Sequence, residues 1–334
     1  MKLTLTRKAL VGVTAATSLL ALTACGGNVG GGAEASGEEF PTEPVTLTVG
    51  QAAGGSTDRI ARAVAEGASQ ELGVPMPVVN KPGANGALAT KEVAGMPADG
   101  QNLVLLNASL ATITPLAVGE GEAIDLENLD IIKGLSQDDY VLVASADSGI
   151  TDLEDVEARS GELSYGTTGV GTGSQLAQVL LFEQAGITGT EVPFDSGAPA
   201  LTAVMGNQVQ VATVQLGEAM PQIEAGTVEP IVVFSKERNK FLPDVPTAVE
   251  SGYEVPVSQY RAIAAPEGLP EDVQAELLDA FEATLDTEAY QQFNEENLLT
   301  PWEVSGEEVR TEWTELAEQY EQLVEEYDIS LTEN

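Results

Sequence analysis

Short apolar strands that alternate with helical stretches predict an α/β fold with mainly parallel sheets. Two further features support this reading. Glycine-rich turns recur where a strand passes into a helix, and the roughly 290 residues after the first 40 suit two lobes of ordinary domain size.

The elements follow in order. Residues 45–49 alternate as a strand does, and Ile60, Ala61, Val64, Ala65 and Ala68 carry helical spacing to about Leu72. Strand 77–79 leads through Lys81-Pro-Gly-Ala-Asn-Gly86 into a helix over 87–94, and strand 103–106 leads through Asn107-Ala-Ser109 into a short helix. Strands are expected at 140–144, 163–165, 209–214 and 231–234, and helices at 173–184, 199–205 and 217–224. Acid-rich helices close the chain at 271–288 and 307–326, where Trp302 and Trp313 are expected to serve as packing anchors. No internal repeat of fixed period occurs.

Three of these junctions could seat an anion. In the first, Gln51 to Asp58, Gly54 and Gly55 let backbone approach a ligand, and Ser56 or Thr57 could cap the helix. The first-turn amides then point outward with the positive end of the helix dipole behind them. The plain alternative is an ordinary strand-to-helix connection. The second, Leu163 to Ser174, crowds Thr167, Thr168, Gly169, Thr172 and Ser174 into one place; its glycines run Gly-x-Gly-x-Gly, which does not match the dinucleotide fingerprint. In the third, Pro193-Phe-Asp-Ser-Gly-Ala-Pro199, Asp195, Ser196 and Gly197 stand between a strand and a helix. Such N-termini converge if two lobes face each other, because ligands of α/β sheets sit at the carboxyl ends of strands.

Composition narrows the chemistry. With no histidine, no Ser-His-Asp triad, His-zinc helix or imidazole base can be built. The single cysteine leaves no disulfide, no Gly-Lys dipeptide marks a P-loop, and neither a metal site nor a cofactor is expected. Carboxylate pairs could still serve a hydrolase, but no spacing singles out one pair. Lys plus Arg number 14 against 53 Asp plus Glu, for a net charge of −39, which excludes nucleic acid as a partner by repulsion. Spread over helices, the acids read as a solvated surface.

The N-terminus reads as an export signal over residues 1–24, with Lys2, Arg7 and Lys8 ahead of an apolar stretch too short to span a bilayer. Its end, Leu22-Thr-Ala-Cys25-Gly26, resembles a bacterial lipoprotein signal, in which cleavage leaves a lipid-bearing thiol on Cys25. Loss of the signal would leave 11 basic residues against 53 acidic ones, a charge of −42. Residues 25–40, rich in glycine, read as a flexible tether.

The order of Ala53-Gly-Gly-Ser-Thr-Asp58, Asn80-Lys-Pro-Gly-Ala-Asn-Gly86, Pro97-Ala-Asp-Gly100, Leu163 to Gly169, Pro193-Phe with Ala198-Pro-Ala-Leu201, Leu242-Pro-Asp-Val-Pro-Thr247 and Ala265-Pro-Glu-Gly268 resembles the solute-binding proteins of tripartite tricarboxylate transporters, the Bug or TctC-like family. The resemblance implies a two-lobed periplasmic-binding-protein-like fold, type II-like, with two crossing strands as hinge. The crossings would fall near 135–141 and 255–263, giving a first lobe over 41–137, a second over 138–256 and a return to the first over 257–334.

It further implies a small carboxylate ligand held by Gly54, Gly55, Ser56, Thr57 and Asp58, by Thr167, Thr168, Gly169, Thr172 and Ser174, and by Ser196 and Gly197, with Asn107 nearby. Arg261, beside Tyr260 on the second crossing, is the candidate for a bidentate carboxylate clamp. The implied function is an extracytoplasmic receptor, lipid-anchored to the cell membrane and monomeric, that delivers its ligand to integral-membrane permease subunits of the TctA and TctB kind. A sensor for a membrane signalling partner, or an exported hydrolase, is the alternative. Two departures bear on the ligand: Ser174-Gln-Leu-Ala177 replaces the family's frequent Pro-His-Leu-Ala, and Phe194-Asp-Ser196 replaces Tyr-Lys-Gly. An acid at Asp195, if it faces the cleft, disfavours a tricarboxylate.

Overall fold

A computed structural model describes residues 40–119 and 123–332. The export signal, Cys25 and all of the tether but Phe40 lie outside the described residues.

The strands are β1 (Thr46–Val49), β2 (Val78–Asn80), β3 (Asn102–Asn107), β4 (Leu129–Ser145), β5 (Leu163–Thr167), β6 (Gly189–Pro193), β7 (Val211–Gln215), β8 (Val228–Val233), β9 (Ser258–Pro266) and β10 (Thr300–Pro301). The helices are α1 (Ser56–Glu71), α2 (Ala87–Ala94), α3 (Ser109–Thr112), α4 (Thr114–Ala117), α5 (Leu153–Glu157), α6 (Gly173–Ala185), α7 (Gly197–Met205), α8 (Leu216–Glu224), α9 (Glu271–Leu285), α10 (Glu288–Glu296) and α11 (Gly306–Glu326).

The strands pair in the order β2-β1-β3-β9-β4-β7-β5-β6, and β8 and β10 also pair with β4. The expected parallel character is confined to two groups: β1 with β2 and β3, and β5 with β6 and β7. Every pairing of β4 or β9 is antiparallel. These two strands carry the chain between the groups in opposite directions, so each runs against the strands it meets. Along β4, partnership passes from β9, whose first residue Ser258 lies opposite Asp139, to β7, whose last residue Gln215 lies opposite Tyr140. One 17-residue strand therefore serves both lobes of this periplasmic-binding-protein-like fold.

Each group is covered on both faces, as parallel sheets require. In the first lobe Leu47, Leu103 and Leu105 pack under Ile60 and Val64 of α1 and Leu277 and Phe281 of α9. The opposite face, with Val104 and Leu106, packs on Val93 of α2 and on Val309 and Trp313 of α11. In the second lobe β4 itself alternates: Leu142 and Ala144 face α6, while Val141 and Val143 face α7 and α8. Helix α11 begins with a capping box between Ser305 and Glu308. Its Val309 and Trp313 join the first lobe's core, and its Tyr320 and Leu323 join the second's. Trp302 stacks on Trp313 at 6.4 Å and lies 4.9 Å from Tyr260, so both tryptophans pack as expected. Among the described residues no helix is long and apolar enough to cross a membrane.

Candidate ligand-binding cleft

The turns that follow β1, β2, β5, β6 and β7, together with Asn107 at the end of β3, line one cavity of about 380 Å3. Carboxyl ends of parallel strands from both lobes thus feed the same space, the place where sheets of this kind hold ligands.

The first turn is held open by its own acid. Asp58 accepts the Gly54 amide at 2.8 Å, Arg62 through Nε at 3.0 Å and Nη2 at 2.8 Å, and Asn80 Nδ2 at 2.9 Å. Burial pushes the Asp58 carboxyl up, but hydrogen bonds from Arg62, Gly54 and Asn80 outweigh it and leave the pKa lowered. Gly54 takes φ +89°, which a side chain would resist. Contrary to expectation, neither Ser56 nor Thr57 caps α1. Gly55 occupies the cap position, and no side chain of the cap bonds the first turn.

The two hydroxyls point inward instead. Ser56 Oγ accepts Arg261 Nη2 at 3.3 Å and donates to Asp138 at 3.2 Å; Thr57 Oγ1 accepts Arg261 Nε at 3.2 Å and donates to Asn107 at 3.3 Å. Beneath them Arg261 pairs with Asp138 and is fully buried. Burial raises the Asp138 carboxyl against the pull of Arg261. Arg261 therefore stands behind the cavity wall, not in it. The clamp expected from sequence is spent on an internal acid, and what the turn offers the cavity is backbone.

The second turn is braced similarly. Ser174 Oγ accepts the Thr168 amide at 2.7 Å and lies 2.8 Å from Thr168 Oγ1. Thr172 caps α6, bonding Gly169 O at 2.7 Å and accepting Gln175 N at 3.3 Å. Thr167 is turned away onto Glu191 at 2.8 Å. Gly169 and Gly171 take φ +108° and +69°, and Gly171 O accepts Asn85 Nδ2 at 3.1 Å across the cleft. At the third turn Ser196 takes an extended backbone, and α7 too has no side-chain cap.

Of the residues expected at the site, Gly55, Ser56, Thr57, Asn107, Thr168, Gly169, Thr172, Ser196 and Gly197 line the cavity, whereas Asp58, Thr167, Ser174 and Arg261 are buried behind it and Gly54 is exposed outside its lining. Asp195 is exposed and lines it. Sequence reasoning did not single out Gln51, Asn85, Tyr140, Gln215, Glu218 or Gln259. Glu218 matters most. It rises from the first turn of α8, and its Oε1 accepts the Ser56 amide of the opposite lobe at 3.0 Å. Its Oε2 lies where a Cβ on Gly197 would stand. A side-chain carboxylate thus rests between the uncapped starts of α1 and α7. Burial raises its pKa, opposed by the Ser56 amide, Arg59 and Arg261. Its signal in the sequence is a fourth strand-to-helix junction, Gln215-Leu-Gly-Glu218, like the three recognised.

A family model described as "Tripartite tricarboxylate transporter family receptor", TctC, matches residues 60–329. The chain belongs to this family. A UPF0065 protein of Agrobacterium vitis, encoded in the TAR-I ttuE-ttuC' intergenic region, is 31% identical over 253 residues, covering 74% of this chain and 73% of the relative. The TctC-family fold is shared with the periplasmic binding protein BugD at 27% identity and TM-score 0.81, over 88% of this chain and all of BugD. It is shared also with MatC from Rhodopseudomonas palustris, a structure with bound malate, at 28% identity and TM-score 0.79, over 85% of this chain and all of MatC.

Proposed function

We propose that this receptor captures a small carboxylate between its two lobes on the extracytoplasmic face, held to the cell membrane through lipid on Cys25, and delivers it to integral-membrane permease subunits of the TctA and TctB kind. The observation that carries the reading is the pair of uncapped helix starts, α1 and α7, facing one cavity with a carboxylate, that of Glu218, already on the Ser56 amide. Orphan first-turn amides and the helix dipole together favour an anion there. Family membership and the malate bound to MatC support the same ligand class.

Gly55→Asp tests the reading. Gly55 has φ −73°, and a Cβ would meet nothing nearer than Glu218 Oε1 at 3.5 Å, so the backbone accepts a side chain there, and the added charge would stand in the cavity wall beside Glu218. A panel of mono-, di- and tricarboxylates and amino acids is screened by thermal shift. A ligand at about 100 times its Kd adds about 2.7 kcal/mol to apparent stability. The wild type is expected to respond to at least one acid, and Gly55→Asp to none, while still unfolding in one cooperative transition when no ligand is added. An unresponsive wild type, or calorimetric affinity retained in the variant, refutes the assignment.

A further inference from the structure

We infer that the cleft selects a ligand carrying a positive group beside its carboxylate, a zwitterion of the amino-acid or betaine type, with Glu218 and Asp195 receiving the positive end. This rests on the receptor reading above and narrows its ligand class.

The cavity wall holds two carboxylates, Glu218 and Asp195, and neither Lys nor Arg. Among the described residues neither acid forms an ion pair. Arg261 is committed to Asp138, and Arg59, one position into the helix beyond Asp58, acts on Glu218 only at a distance and does not line the cavity. Glu218 spends Oε1 on Ser56 and leaves Oε2 over Gly197, with no donor on it among the described residues. Gln51, also in the wall, has a buried Oε1 with no donor. The wall therefore offers backbone amides for one anionic group and an excess of acceptors and negative charge for the remainder of the molecule.

A di- or tricarboxylate would bring its further charges against two acids, where like charges disfavour each other's ionised forms. A zwitterion brings no net charge. Its carboxylate meets the uncapped amides of the α7 start and those of Gly169 and Val170 in the second turn, and its positive end meets Glu218 and Asp195. Both groups are then paired within one cavity of about 380 Å3.

Isosteric pairs provide the test: alanine against isobutyrate, aspartate against methylsuccinate, and glycine betaine against 3,3-dimethylbutyrate, each differing by the positive nitrogen. They are titrated calorimetrically into the full folded chain, together with malate as a plain dicarboxylate. The wild type is expected to bind the best nitrogen-bearing member at least about tenfold tighter than its nitrogen-free partner, or about 1.4 kcal/mol. Glu218→Gln is expected to cut that ratio by about tenfold, and Asp195→Asn by less. Because Asp195 is exposed, its variant carries the test should Glu218→Gln fail to fold. Equal affinity within every pair, or a ratio unchanged in both variants, overturns the selection. Tight malate binding with no amine preference leaves the receptor reading standing and the selection refuted, whereas no binding by any acid removes both.

Discussion

Arg261→Met would test whether the buried ion pair, and not the ligand, fixes the first turn. Both side chains are out of solvent, at 0% and 4% exposure, and Arg261 alone links Asp138, Ser56 Oγ and Thr57 Oγ1. Its loss leaves Asp138 buried with one hydroxyl donor, Ser56, on Oδ2 and none on Oδ1. Breaking a buried pair from one side costs about 3–5 kcal/mol. At about 2–4 °C per kcal/mol for a chain of this size, the melting temperature falls by about 6–20 °C. Urea unfolding followed by Trp302 and Trp313 fluorescence reads the same loss as a shifted midpoint. The companion variant Arg261→Met/Asp138→Leu should recover most of it, since replacing both charges by apolar groups is often neutral. Lys at 261 should fall between, because an ammonium lacks the fork that reaches two hydroxyls and an acid together. A single-variant loss below about 1 kcal/mol, or a double variant no more stable than the single, would refute the assignment of Arg261 as the support of the turn.

Two acids should move stability with pH in opposite directions. The lowered Asp58 stabilises above the ordinary carboxyl range near 3.8 and loses that contribution as pH falls through its folded value, so the melting-temperature gap between wild type and Asp58→Asn should close in acid. The raised Glu218 binds its proton more tightly when folded, so its charging costs stability as pH rises above about 4.5, and Glu218→Gln should gain on the wild type across that range. Matching pH profiles for all three proteins would contradict both assignments. For the anchor, Cys25→Ala is expected to shift the protein from the membrane fraction to the soluble exported fraction. Unaltered fractionation would dismiss the lipid.

The sequence made the strand, glycine turn and helix junctions legible because each is local: an alternating run, a turn residue and a helical period within some 20 residues. The 17-residue β4 was legible only in its apolar second half. Its first half carries Lys133, Gly134, Gln137, Asp138 and Asp139, which break the expected alternation, and each has a distant reason. Lys133 reaches Glu282 at 2.7 Å; a side chain at Gly134 would meet Trp302 O at 2.8 Å; Asp138 holds Arg261, 123 positions away. The same limit governed Ser56 and Thr57. A hydroxyl at a helix start reads as a cap or a ligand group, and nothing nearby announces an arginine 204 residues downstream that takes both. Glu218 looked like any acid in a helix's first turn, where the dipole favours it; its bond to Ser56 spans 162 residues and exists only once two lobes face each other.

That bond explains how a chain of charge −39 can hold an anion without a cation at the wall. The repulsion of scattered surface acids is screened over about 8–10 Å of salt solution, whereas an amide at hydrogen-bond distance acts locally and in a partly dry space. The Ser56 amide does this for Glu218 at 3.0 Å, so the turn's capacity to hold a carboxylate is displayed by the protein's own side chain. The supporting cation is kept one layer deeper, where Arg261 is neutralised by Asp138 and stiffens the turn without adding charge to the cavity. An arginine in the wall would bind any anion strongly and discriminate little by net charge. Under the selection proposed above, a wall of amides with two acids beside them would hold one carboxylate and leave the remainder of the molecule to be judged by its charge.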